Sequence, residues 1–359
     1  MSALDQTRLL HVAPATGTSG VGDYADDFQR AIRPHVKEIV DLRHGGPGQD
    51  TVLDLWRFRR RLRAAVKASA GPTVVHVELS GGAFLPFWAT LGLPRRVLVT
   101  STVHDPPWTV WFPWRTKLLA RNWTVTHAVH FPTMKLTEVL ERRLMRGRLL
   151  FAMTEAGTRA ARAAMPDADV RRAGHVSSPR PDVRHAEERP AAIGLFGYVY
   201  RNKALTMITE LRDALDPSID IRVAGRGTES LPPVAGVTVL GEVNGPDEDA
   251  FFESIGLLVM PHGERLVYGR TVHPSSSVLR RSIAYQTPVL WANGLGDDLG
   301  AGVVECEPEA ESIAKAATAL LQDAPQLAQL GADVRARRLE ESDASVVGAF
   351  LDAWGDAAR

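Results

Sequence analysis

The strongest constraint on this chain is an alternation that runs along most of its length. Residues 9–13, 38–42, 74–78, 97–103, 125–131 and 149–153 are short, β-branched apolar runs. The chain between them, as at residues 24–32 and 53–69, carries helical spacing. Short strands linked by helices pair in parallel through crossover connections, so the alternation predicts a parallel sheet covered on both faces. At residues 176–190 the pattern stops: SSPRPDVRHAEERP is polar, holds three prolines and reads as a linker. It restarts with residues 193–198, 219–224, 237–240, 257–260, 289–291 and 303–304. The expected fold class is α/β, with two Rossmann-like domains at residues 1–180 and 190–340 and a ligand cleft between the carboxyl ends of their strands. In the tail, residues 341–359, Val346, Val347, Phe350, Leu351 and Trp354 are spaced on one helix to cover an apolar groove.

Composition agrees with this size and narrows the partners. A chain of 359 residues, 45% hydrophobic, can build two ordinary cores. Zero net charge at pI 7.2 offers nucleic acid or an anionic membrane no whole-chain attraction. The single Cys306 cannot close an internal disulfide, and no apolar run reaches spanning length, so the expected location is the cytoplasm. No metal-ligand spacing occurs, and neither a metal nor a cofactor is expected.

After the first run comes PATGTSGVGDYADDFQ, residues 14–29. Gly20, Gly22 and Ala25 fit the G-x-G-x-x-A dinucleotide fingerprint, and Asp41 follows Gly22 by 19 residues, which opens the reading of an NAD-dependent oxidoreductase. In that fold the first glycine follows the strand almost at once, whereas here residues 14–19 intervene. Two other readings stand beside it: a β–α connection with no ligand, or a loop whose backbone N–H groups meet a phosphate or sugar. Asp23 could serve an acceptor hydroxyl, although a helix's first turn favours carboxylates in any case.

The second half carries a cationic counterpart. IGLFGYVYRNKALTMITEL, from Ile193, ends a strand at Gly197 and starts a helix near Ala204, with Arg201 and Lys203 at the bend. Fixed cations at a helix N-terminus suit a diphosphate; the alternative is solvated turn residues. Further on, Ser275, Ser276 and Ser277 start a helix, where they act as caps and could also hold a phosphate. His104 follows the run 97–103 and should emerge at a strand's carboxyl end, in a loop that Asp105, Pro106 and Pro107 make exposed and stiff. Trp108, Trp111, Phe112 and Trp114 come next, with Arg115, Lys117 and Arg121 behind them. The rings could stack on a sugar or aglycone, dock a membrane carrying a lipid acceptor, or pack beneath the loop. His127 and His130, placed by this reading on a strand and on opposite faces, fit a core or edge better than a metal site.

Taken in order, GVGDYADDF from Gly20, Val103-His104-Asp105, Gly197 with Arg201 and Lys203, GEVNGPDEDAFFESIGLLVMPH from Gly241, and SIAYQTPVL from Ser282 resemble the retaining GT-B glycosyltransferases of family 4. The resemblance covers nearly the whole chain. It implies that Arg201 and Lys203 hold the diphosphate of a nucleotide-sugar donor, that His104 lies beside the donor sugar, and that the opening loop with Gly20 and Gly22 faces the donor phosphates or the acceptor. It also implies a terminal helix that crosses back to the first domain. The acceptor would be a glycan, a lipid or a small molecule. The chain departs from the pattern where many members carry two glutamates eight positions apart, since His273 and Arg281 stand there. Glu264 is the candidate to replace a missing carboxylate, the alternative being a surface residue paired with Arg265 or Arg270. The departure keeps a catalytically altered nucleotide-sugar-binding protein open beside the transferase.

Overall fold

The computed structural model describes residues 6–197, 203–261, 265–267, 269–292 and 299–357. The chain divides into two compact units. The first comprises Met1–Val176, Leu266–Ser275 and Asp343–Arg359, and the second Ser177–Arg265 and Ser276–Ser342.

In the first unit, β1 (Arg8–Pro14), β2 (Glu38–His44), β3 (Thr73–Leu79), β4 (Leu98–Val103), β5 (Leu149–Ala152) and β6 (Asp169–Arg172) form one sheet in the order β2-β1-β3-β4-β5-β6. Every neighbouring pair is parallel. The connections run through α1 (Gly20–Ile32), α2 (Val52–Lys67), α3 (Phe84–Ala89), α4 (Lys117–Ala120), α5 (Trp123–Met145) and α6 (Glu155–Ala164). One face buries Leu10, Val12, Val75, Val77 and Val103 against Phe58, Leu62, Phe87 and Met145. The other receives Phe28 of α1 together with Phe350 and Trp354 from the chain's last helix.

The second unit repeats the plan. Its strands β7 (Ala192–Phe196), β8 (Asp220–Ala224), β9 (Val237–Gly241) and β10 (Leu257–Met260) come first. After a short ribbon, β11 (Arg265–Val267) and β12 (Arg270–Val272), which apart from Arg265 belongs to the first unit, come β13 (Val289–Ala292) and β14 (Val303–Cys306). The large sheet runs β14-β13-β10-β7-β8-β9, flanked by α7 (Lys203–Ala214), α8 (Pro246–Glu253), α9 (Ser277–Ala284), α10 (Ala310–Gln322) and α11 (Ala324–Glu340). The final helix, α12 (Asp343–Ala357), packs in the first unit's core.

Two sequence expectations are corrected. Residues 125–131 lie in α5, where His127 and His130 share a helix instead of alternating on a strand. Asn122 caps that helix by accepting from Val125 N at 3.1 Å, and the hydroxyls of Thr126, Thr133 and Thr137 bond back to carbonyls four residues earlier. The cap favours the helix against the strand preference of the β-branched residues, and the back-bonds satisfy the threonine hydroxyls without leaving the helix. The stretch read as a linker is anchored: buried Arg189 donates to Thr287 Oγ1 at 2.8 Å and to the carbonyls of Phe252, Ile255, Tyr285 and Gln286. Burial lowers its pKa to about 10. With the Arg184 carbonyl accepting from its Nε at 2.7 Å, six acceptors surround this one cation, which explains why a polar, proline-rich segment is held in place.

Candidate functional site

In each large sheet the strand order reverses once, and ligands of open α/β sheets collect beyond the strand carboxyl ends at such a reversal. In the first unit it falls between β1 and β3. His11 lies on β1, His76 and Glu78 on β3, and Thr100 and Thr102 on β4, all on one face because side chains alternate along a strand. Glu78 sits at their centre and is fully buried. Its Oε1 accepts from His11 Nε2 at 2.8 Å, directly across the reversal, and its Oε2 accepts from His104 Nε2 at 2.8 Å. His76 Nε2 stands 3.4 Å from Oε1, with Thr100 and Thr102 hydroxyls at its two ring nitrogens.

A hydrogen-bond chain leaves this centre through His11. Gln29 of α1 donates through Nε2 to Asp41 Oδ1 at 2.8 Å and approaches His11 Nδ1 at 2.9 Å. With Nδ1 accepting, the His11 proton sits on Nε2 and points at Glu78. Asp41 is then held by Arg43, which also grips Asp26 and the Pro14 carbonyl. This removes the basis for a ribose-binding Asp41: its carboxylate serves the network. Burial pushes the Glu78 carboxyl up, but the donated bonds from His104, His11 and His76 outweigh it and hold Glu78 well below the usual carboxylate range. Burial lowers His76, and it raises Tyr24 well above the usual phenol, with the Glu78 charge adding to that shift. The unit therefore keeps an ionised carboxylate in its interior, aimed at His104.

His104 is buried rather than exposed. Its backbone N–H donates to Leu79 O at 2.9 Å and its ring meets Tyr24 edge-on at 5.0 Å. A polar, proline-rich successor suggested exposure; the paired glutamate makes burial tolerable. The following loop is packed as well. Trp108 and Phe112 are fully buried and Trp111 nearly so, with Arg270 over Trp108 at 4.9 Å and Arg115 over Trp111 at 5.0 Å. Of the three readings of these rings, packing beneath the loop describes what they do, because their faces are covered. Glu141 anchors the loop from α5, accepting from Thr109 Oγ1 at 2.8 Å and Val110 N at 2.6 Å, and burial raises its pKa to about 7.

The opening loop has its own internal bonds. Ser19 caps α1 by accepting from Gly22 N at 3.3 Å, and Asp23 Oδ1 accepts from Gly17 N at 3.1 Å. A Cβ on Gly22 would lie 2.5 Å from the Ala15 carbonyl oxygen, so close backbone approach demands glycine there. Gly20, the first residue of α1, is exposed.

The second unit's reversal falls between β7 and β10. Its strand exits are glycines: Gly197 after β7, Gly225 after β8 and Gly241 ending β9. Gly197 and Gly225 have φ of 122° and 132°, and a Cβ on Gly225 would collide with the Gly197 carbonyl. At these three exits no side chain projects from the edge. Lys203 opens α7, while Arg201 and Glu264 lie outside the described residues. Ser276 is the cap of α9, accepting from Leu279 N at 3.2 Å; Ser277 is exposed in the first turn and Ser275 precedes the cap. Arg281 Nη1 donates to both carboxylate oxygens of buried Glu248, at 2.7 and 2.6 Å, and Arg180 approaches the same carboxylate at 3.2 Å. His273 belongs to the first unit, its N–H donating to Pro106 O at 2.8 Å. Among the described residues, no three metal-ligating side chains are grouped to hold an ion, and no helix is long and apolar enough to cross a membrane.

The sequence reading missed His11, Gln29, His76 and Glu78. The available signal was positional: His76 and Glu78 stand two apart on one strand, and His11 interrupts an otherwise apolar one.

This architecture is the GT-B fold. The chain is similar to the Anabaena HepE structures in complex with UDP, at 10% identity and TM-score 0.65, and with UDP and glucose, at 11% and 0.63. Both likenesses cover 97% of this chain, and 100% and 99% of theirs. An E. coli structure described as trehalose-6-phosphate bound with UDP-2-fluoro glucose matches at 9% identity and TM-score 0.61, covering 97% of this chain and 99% of that one. A UDP-N-acetylglucosamine 2-epimerase matches at 13% and 0.56, covering 98% and 97%. No protein-family model and no curated sequence matches. At these identities the likeness is one of fold.

Proposed function

We propose that the chain is a glycosyltransferase that moves a sugar from a nucleoside diphosphate to an acceptor hydroxyl with retention of configuration. The observation that carries this reading is the whole-length likeness to the HepE structures in complex with UDP and with UDP-glucose. The second unit supplies the physical reason. Strand exits that are glycines let a ligand approach the backbone closely; in the sequence Arg201 and Lys203 follow Gly197 within six residues, Lys203 being the first residue of α7. Those fixed cations and the helix N-terminus would stabilise the leaving diphosphate by electrostatic preorganisation. The proposed chemistry names no metal. Ser276 and Ser277 add donors at the start of α9, and Glu264 is the proposed contact to donor hydroxyls.

From the first unit, His104 is the proposed neighbour of the donor sugar. Glu78 orients its imidazole by accepting from Nε2 at 2.8 Å, as a buried carboxylate does for a histidine. Asp23 and the Gly20–Gly22 turn are proposed on the acceptor side, and Trp108 and Trp111 act from beneath by fixing the loop. Cys306 as the chain's only cysteine supports a cytoplasmic setting.

A thermal-shift panel of UDP, GDP, dTDP, ADP and NAD tests the reading, because a ligand that binds only the folded state raises the midpoint. One nucleoside diphosphate should stabilise the protein. Stabilisation by NAD alone, or by nothing in the panel, would overturn it.

A further inference from the structure

The helix α5 is inside out. Its buried positions are Thr126, His130, Thr137, Glu141 and Met145, four of them polar. Its outward stripe, at spacings of four and three, is Val125, Val129, Pro132, Leu136, Val139 and Arg143, and every one of these is exposed. Seven of the twelve exposed large apolar side chains among the described residues fall between Leu118 and Val139, including Trp123 at 64%, Leu136 at 59% and Val139 at 61%. Scattered apolar residues on a surface are ordinary; a continuous run of them along one helix marks an interaction face.

The charges around the stripe identify its partner. Residues 115–148 carry eight Lys and Arg against two carboxylates, in a chain whose net charge is zero. Both carboxylates are engaged away from the stripe: Glu141 is buried under the loop, and Glu138 binds Arg270 at 2.7 Å. Lys117, Arg121, Lys135, Arg142, Arg143 and Arg146 are all exposed. A second copy docking on this face would bring cations opposite cations, with no exposed acid in the segment to answer them. A surface that is apolar within and anionic at its boundary answers both features, and a tryptophan at one helix end suits that boundary. We propose that α5 and the adjoining α4 form a peripheral docking surface for an anionic lipid membrane, lying in its plane with Val125, Val129, Leu136 and Val139 inward. This inference is independent of the transferase reading, since vesicle binding involves no nucleotide. It also reconciles the chain's overall neutrality with membrane attraction, which here is local.

The test is co-sedimentation of the full chain with phosphatidylcholine vesicles, with and without about one-third phosphatidylglycerol. The wild type should pellet with the anionic vesicles only, less so as salt rises. Substituting Val125, Val129, Leu136 and Val139 together by serine should weaken binding about tenfold or more. Because that variant changes four residues, Lys135→Glu with Arg143→Glu provides a second measurement, which should abolish binding to the anionic vesicles. Thermal midpoints equal to the wild type's would show that either variant is folded. No pelleting of the wild type, or pelleting undiminished in both variants, would overturn the proposal. So would a wild-type dimer in analytical ultracentrifugation that becomes a monomer in the serine variant, since a second copy would then cover the stripe.

Discussion

The two large sheets share a topology and differ in what they place at the strand reversal. In the first unit, His11, His76, Glu78 and His104 crowd that point around one carboxylate, with Gln29 and Tyr24 contributed by α1. In the second, Gly197, Gly225 and Gly241 clear the strand exits of side chains. The difference shows two ways of finishing the carboxyl edge of a parallel sheet. One fills it with buried polar groups that fix one another's geometry, and the other ends its strands in glycines and bares the backbone, the feature on which the proposed ligand site rests.

The largest effect should come from removing the first unit's centre. Glu78→Ala leaves three imidazoles around a void, and breaking a buried charge cluster costs about 4 kcal/mol. Seven of the eight tryptophans lie in this unit, so the urea midpoint followed by tryptophan fluorescence should fall markedly. An unchanged midpoint would mean that the cluster is not structural and that the contrast between the sheets is mistaken.

Next in size is Gly225→Ala. It forces an unfavourable φ and drives a methyl group into the Gly197 carbonyl, together about 3 kcal/mol. The loss should appear in the second unit alone, as faster amide exchange on β7 and β8, and should weaken nucleoside diphosphate binding. A variant equal to the wild type in both respects would show that the bare edge is incidental.

The smallest concerns pH. Glu141's folded pKa, about 7, lies above the ordinary carboxyl value, so its protonated form stabilises the fold at pH below about 4.3 and that contribution is lost as pH rises to 7. His130 works in the opposite direction. Burial, aided by His127, lowers its pKa to about 4, so its contribution is present above about 6.5 and is lost as pH falls toward 4. Glu141→Gln removes only the first term. Relative to the wild type, the variant should gain of order 2 kcal/mol between pH 5 and pH 8, read from urea midpoints at the two values. Parallel midpoints would place the Glu141 carboxylate in a more polar setting than the loop core.

How much of this was legible in the sequence follows the same division. The second unit's features are local, namely a glycine at a strand's end, a lysine opening a helix and a serine cap, and each could be read from adjacent residues. The first unit's are not. His11 and Glu78 are 67 positions apart, and only the β1–β3 pairing brings them together, so the sequence reading passed over His11 inside an apolar run. The same distance problem hid Arg189, five of whose acceptors come from α8 and from the residues just after α8 and α9. It also hid Arg281, whose partner Glu248 lies 33 residues earlier on α8. α5 was misread for a different reason: its β-branched residues have strand propensity, and only the threonine back-bonds and the buried polar stripe show it to be a helix.

The central claim is that the second unit's bare edge and the start of α7 bind a nucleoside diphosphate. Its most direct test is calorimetric titration of the diphosphate selected by the thermal-shift panel into wild type and Lys203→Ala. The account predicts one site in the wild type and at least about tenfold weaker binding in the variant, the loss of one charge-assisted contact. Equal affinity in both proteins would contradict it.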